Sequence, residues 1–237
     1  MTFDVSNVFI PSEALAQTKP RIHWIMADSN ASQCGFWYSK STPDADASGL
    51  WADSSFRDDF GYQSDTLRCI AVCSTSRPFS VDENGMKVFS EKYEKGMKFY
   101  TEVATIVEGY AEPMIVTVKG ASGVAWQNAM KQVDAWRATV KSNSRVNLPR
   151  YAFWLELVPQ RTPQGKPLLT DLYQGNKRNL FALATPSPSI EELRAMYIGN
   201  ALMQSIGESY ADYKALIEPS VAAAAAAGGE EDGWPPF

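Results

Sequence analysis

The sequence predicts a mainly β chain of the α+β class: a small barrel with an inserted helix, then one long helix and a flexible acidic tail. Three observations carry that expectation. Short β-rich runs recur along the chain as far as Thr185. One helical period interrupts them between two late strands. After residue 188 the pattern turns helical, then gives way to alanine, glycine and acids. Hydrophobic residues at 45% and charged residues at 21% suit a globular unit with a sizeable core. Collagen-like, coiled-coil and wholly disordered chains are excluded.

The elements follow in order. RIHWIM (Arg21–Met26) and GFWYS (Gly35–Ser39) read as strands. Ser39–Ser64 is rich in Asp, Ser and Gly without a sustained period, so it reads as a long loop carrying Trp51, Phe56, Phe60 and Tyr62. LRCIAVCS (Leu67–Ser74), MKVFS (Met86–Ser90) and the β-branched YTEVATIVEGY are the next strands. MIVTVKG (Met114–Gly120) is the clearest of all. Behind it Trp126, Met130, Val133, Arg137 and Val140 keep helical spacing and predict a helix over Val124–Val140. YAFWLELV (Tyr151–Val158) reads as a strand stopped by Pro159, and NLFALAT closes the sheet after a Gly/Pro/Gln hairpin-like loop. Ser189 and Glu192 form a capping box, and apolar residues from Leu193 to Leu216 predict one long helix with Gly199 and Gly207 as weak points. A helix between late strands of a small barrel is the plan of an OB-type fold, whose open face binds oligonucleotides. The expected organisation is an OB-like core over 1–188, a C-terminal helix over 189–218, and a disordered linker with an acidic tip over 219–237.

Much chemistry is excluded by one histidine. His23 alone cannot build a His-rich zinc site, a two-His iron site or HExxH. Cys69 and Cys73 lie in a strand-like run whose four-residue spacing places both on one face, so core packing is preferred to a zinc site. Nucleophile-elbow, Walker A and GxGxxG patterns are missing. The acidic pairs Asp44/Asp46, Asp58/Asp59 and Asp82/Glu83 sit in polar loop-like stretches where acids are solvated. A non-enzymatic protein without cofactor or metal is expected. With three cysteines, no run of about 18 apolar residues and no signal-peptide plan, a cytoplasmic protein away from membranes is expected.

The net charge of −5 conceals segregation. Residues 1–86 carry 6 basic and 11 acidic side chains, residues 87–178 carry 14 and 8, and residues 179–237 carry 2 and 8. A basic middle inside an acidic chain points to an anionic partner. Aromatic residues lie among its bases: Lys92-Tyr93, Lys95, Lys98-Phe99-Tyr100, Trp126, Trp136-Arg137 and Arg150-Tyr151-Ala152-Phe153-Trp154, with Trp37-Tyr38 and Lys40, and Trp24 near Arg21, upstream. Cations along a phosphate track and flat rings for stacking are what a single-strand binder needs. The residues singled out are Trp37, Tyr38, Lys40, Lys92, Lys95, Lys98, Tyr100, Lys119, Trp126, Arg150 and Trp154.

The chain ends in Glu230, Glu231 and Asp232 followed by Gly233, Trp234, Pro235, Pro236 and Phe237, behind an alanine–glycine spacer. An acidic cluster ending in Pro-Phe resembles the C-terminal tip of bacterial and phage single-stranded-DNA-binding proteins. The resemblance covers about eight residues and departs from the usual pattern at Gly233-Trp234. It implies that the tip recruits replication, repair and recombination proteins while the core protects single-stranded DNA. Two further readings stand beside it. In one, a structural or adaptor protein uses its acidic aromatic tail to bind a protein and its core binds no nucleic acid. In the other, the chain is an accessory subunit of an enzyme. Oligomeric state is left open, a homo-oligomer included.

Overall fold

The computed structural model describes residues 21–25, 34–40, 51–56, 59–83, 87–173 and 176–218. Across them the chain is mainly β with a few helices, an α+β fold on one large mixed sheet. Its strands are β1 (Arg21–Ile25), β2 (Gly35–Ser39), β3 (Ala52–Phe56), β4 (Asp59–Ser64), β5 (Leu67–Val81), β6 (Lys87–Phe89), β7 (Lys98–Val107), β8 (Met114–Lys119), β9 (Leu155–Pro159) and β12 (Phe181–Leu183), while β10 (Leu169–Tyr173) and β11 (Asn176–Asn179) form a separate hairpin. The spatial order is β12-β9-β5-β7-β8-β1-β2-β4-β3, with β6 on the outer half of β5. β8 and β1 run parallel, and the other ladders are antiparallel.

The sheet curls strongly. Trp24 on β1 lies 5.3 Å from Phe181 on β12, and its indole N–H donates to the Asn179 carbonyl at 3.2 Å. Phe36 on β2 also meets Phe181, at 5.5 Å. These contacts run through side chains; among the described residues no backbone ladder closes the sheet into a barrel. The inner face holds Ile22, Trp24, Phe36, Tyr38, Leu67, Cys69, Val103, Val116, Leu155 and Phe181. Helix α1 (Ala121–Ser144) adds Trp126, Val133 and Trp136 to this core. It starts at Gly120, whose φ of 55 and ψ of −122 suit glycine, and so turns sharply off β8.

The outer face is covered over one half. Ile70, Val72, Ala104, Ile106 and Ile115 pack under α3 (Asn200–Glu208) and α4 (Tyr210–Ile217) through Leu202, Ile206, Tyr213 and Ile217. This double burial explains why β7 is buried residue after residue from Tyr100 onward. No described helix is long and apolar enough to cross a membrane.

Four expectations need correction. The segment read as a loop is the β3–β4 hairpin, an outer extension of the sheet through β4 on β2. Gly61 there is a close approach: a Cβ would fall 2.3 Å from the Tyr38 carbonyl and 2.6 Å from the Trp37 ring. Cys69 and Cys73 do not share a face, because a bulge between Ala71 and Cys73 resets the alternation. Cys69 joins the inner core, while Cys73 packs with Val72 beneath the terminal helices. The strand expected from Tyr151 begins only at Leu155, since Arg150–Ala152 is a single 3₁₀ turn led by Pro149. The long C-terminal helix is three: α2 (Ile190–Met196), α3 and α4. Gly199, at φ 84 and ψ 157, breaks the first junction, and the second falls at Ser209 rather than Gly207. The capping box is present as expected, with Ser189 and Glu192 bonding each other's backbone. Residues 219–237 lie outside the described residues, as do Asp44, Asp46 and Asp58.

Candidate nucleic-acid interface

The second half of β5, β6 and the start of β7 form an arm. Where β5 passes through the core its residues are nearly all buried; from Cys73 to Arg77 half-buried and exposed residues alternate, and Pro78 and Phe79 are buried again. Arg77 pairs with Tyr100 in register, Tyr100 with Lys119, and Phe79 with both Phe89 and Lys98. Cross-strand partners share a face, so one side of the arm collects Phe79, Phe89 and Tyr100 with Arg77, Lys87, Lys98 and Lys119. Ring contacts agree: Phe89–Tyr100 at 5.5 Å and Phe79–Phe89 at 6.0 Å. Arg77 sits over Phe89 at 4.7 Å, and Lys87 over Tyr100 at 5.1 Å. Cations held on aromatic faces in this way are partly ordered before any ligand arrives.

A second aromatic pair stands apart. Tyr93, in the turn before β7, and Phe99 stack with centroids 5.3 Å apart and planes 6° from parallel. Tyr93 is 56% exposed and Phe99 41%. Phe99 alternates with Lys98 and Tyr100 along β7, so this pair lies on the other side of the arm; Lys92 and Lys95 beside Tyr93 are exposed, as are Glu91 and Glu94.

The arm's basic face continues onto the sheet. In register, Thr75, Glu102, Thr117, His23, Trp37 and Gln63 form a row from β5 to β4 on the outer side. This is the half of the outer face beside the α3–α4 cover. Glu102 is buried within it, accepting from Arg21 and, at 2.7 Å, from Arg77.

The structure sorts the sequence candidates. Lys92, Lys95, Lys98, Tyr100 and Lys119 come together on the arm and at its root, and Trp37 lies on the same outer face, buried against Gly61. Tyr38 and Trp126 do not belong to any surface. Tyr38 is fully buried and bonded to the Tyr110 hydroxyl at 2.6 Å, and Trp126 is in the core under α1, so neither offers a ring face to a base. Lys40 is engaged at the far end of β2, bonded to Asp53 at 2.7 Å and lying 4.6 Å over Tyr62; that hydrogen bond raises its pKa. Arg150 is tied to Asp134 of α1 at 2.8 Å through Nε. Trp154 is half-buried near the start of β5, under Arg68 at 5.6 Å, away from the arm. Residues not singled out from sequence are Arg77, Lys87 and Phe89, whose role depends on β5 extending to Val81. Tyr93 and Phe99 stand among the lysines in the sequence, but nothing in it announces that they stack. The acidic aromatic segment Glu230–Phe237 lies outside the described residues.

Comparison with family models, curated proteins and solved structures finds no match.

Proposed function

We propose that the chain binds single-stranded DNA in the cytoplasm, largely without sequence preference and without chemistry of its own. On this reading both sides of the arm, with the outer sheet face that adjoins one of them, are the binding surface. The observation that carries the proposal is the exposed, stacked Tyr93–Phe99 pair, with the exposed Lys92 and Lys95 in the same turn. Two large exposed rings stacked on each other are poorly explained by core packing and well matched to bases on a single strand. Topology supports an OB-type core: β12-β9-β5-β7-β8 is the OB strand order, with α1 on the connection from β8 to β9. In that frame the arm is the loop between the first two strands, one of the two that line OB ligand sites. The segment Glu230–Phe237 serves to recruit DNA-processing proteins, its acids and aromatic residues matching a basic, apolar-pocketed partner.

The test is anisotropy of labelled oligo(dT). Binding is expected to weaken with salt, because phosphate neutralisation releases counterions. Phe99→Ala is expected to weaken it about 5- to 100-fold, the equivalent of about 1–3 kcal/mol for a lost stacking face. Duplex of equal length should bind far less well. Equal affinity for duplex, or an unaffected Phe99→Ala, would remove the single-strand reading and favour a protein adaptor.

A further inference from the structure

We propose that Glu102 is a positioning residue that presents Arg21 and Arg77 as a preformed phosphate subsite on the outer sheet face. The inference rests on the single-strand reading for its ligand, the phosphodiester backbone, but has its own observations. Three strands converge there. Glu102 on β7 extends one carboxylate oxygen to Arg21 of β1 and the other to Arg77 of β5, the latter at 2.7 Å. The carboxylate side chain is 5% exposed, whereas Arg21 is 44% and Arg77 29% exposed. The anion therefore lies beneath and the guanidinium groups face outward.

Such a placement is costly for a purely structural element. A carboxylate buried beside Ala104 and Tyr100 loses hydration that pairing only partly restores, and an apolar side chain would fill the same space with less penalty. Two guanidinium groups on one carboxylate leave the cluster with one net positive charge. Arg77 is fixed further by lying on Phe89, and its buried Nε–H makes no hydrogen bond. Lys87 and Lys119 flank Tyr100 next to it, so the subsite continues the arm's basic face toward β1. An ordered guanidinium fork recognises phosphate better than a mobile ammonium, because less rotamer freedom is lost on binding.

Charge counting and positioning predict opposite outcomes. If Glu102 merely neutralised the surface, Glu102→Gln would tighten oligo(dT) binding. As a positioning residue it should weaken binding about fivefold despite the gain of positive charge, since the fork loses its anchor. Arg77→Lys should weaken binding about 5- to 10-fold while leaving the salt slope unchanged, because the charge stays and only the fork goes. Circular dichroism and thermal melting establish that each variant is folded; should Glu102→Gln fail to fold, Arg77→Lys decides. A second probe, inorganic tripolyphosphate, is followed through the Arg77 Nε–H resonance, which is expected to shift on titration. Tighter binding by Glu102→Gln, or an unchanged Arg77→Lys, overturns the subsite and leaves the single-strand reading standing. A resonance shift with tripolyphosphate but no oligo(dT) binding keeps the subsite and removes that reading. No response to either probe overturns both.

Discussion

Asp134 shows how one side chain can take a basic residue out of a binding surface. Its carboxylate accepts from Arg150 Nε at 2.8 Å and from Arg137 at 3.1 Å. The Arg150 hydrogen bond holds its pKa below the ordinary value; desolvation opposes it, and the Arg137 hydrogen bond and the charges of both arginines lower it further. A carboxyl depressed in the folded state stabilises the fold above its unfolded pKa of about 3.9, and that contribution disappears as pH falls through the lower folded value. Asp134 is 36% exposed, so water screens the pair. Asp134→Asn should then cost no more than about 1 kcal/mol at pH 7, or at most about 2–4 °C in melting temperature. The gap from wild type should persist down to about pH 4 and close below it. A gap that grows on acidification would contradict the assignment. Arg150 reads as a phosphate ligand in the sequence because its partner lies sixteen residues upstream, on a helix face that only the fold brings beside it. Tyr38 and Trp126 misled for a related reason. An aromatic next to a base looks the same in sequence whether its ring points to solvent or to the core.

At the scale of elements, legibility follows periodicity. β1, β2, β8 and α1 emerge cleanly because each has one buried face or is buried throughout. β3 and β4 do not, since an edge hairpin built from Asp, Ser and Gly carries the composition of a loop. The bulge in β5 was illegible too: one extra residue inverts facing without altering composition. The C-terminal helices allow a sharp check. Were residues 190–217 one helix, Gly199→Ala and Gly207→Ala would each stabilise it by about 1 kcal/mol. Gly199 instead holds φ 84 and ψ 157, a conformation nearly restricted to glycine, so Gly199→Ala should destabilise the protein by about 1–3 kcal/mol in urea unfolding. Gly207 lies inside α3, where a new Cβ would meet only the Tyr151 hydroxyl, at 3.3 Å. Its alanine variant should be near neutral, helix propensity offsetting a small shift of that ring. Stabilisation by both substitutions would restore the continuous helix.

For the whole molecule, the charge segregation visible in the sequence acquires a spatial meaning. The basic middle supplies most of the arm and its root. The acids from Glu191 to Glu218 lie on α2–α4 and at the end of α4, and α3 and α4 cover the other half of the same outer face. What the sequence could not convey is that half of the outer sheet face is sealed by apolar packing of Leu202, Ile206, Tyr213 and Ile217. Fully burying such side chains is worth about 1.5–3 kcal/mol each, so this cover is a permanent part of the fold rather than a displaceable strap. The last buried residue of that cover is Ile217, and residues 219–237 contain Glu230, Glu231 and Asp232 without one basic side chain. Truncation after Glu218 should therefore leave the melting temperature unchanged within about 2 °C, a surface-like effect. Oligo(dT) affinity should hold or rise at low salt, because three acids no longer compete with phosphate for the arm's lysines. Any such gain should vanish as the Debye length shrinks to about 3 Å near 1 M salt. A truncated chain that melts well below the full one, or that loses oligo(dT), would mean that residues 219–237 belong to the folded core, and the division between binding core and recruiting segment would fall with it.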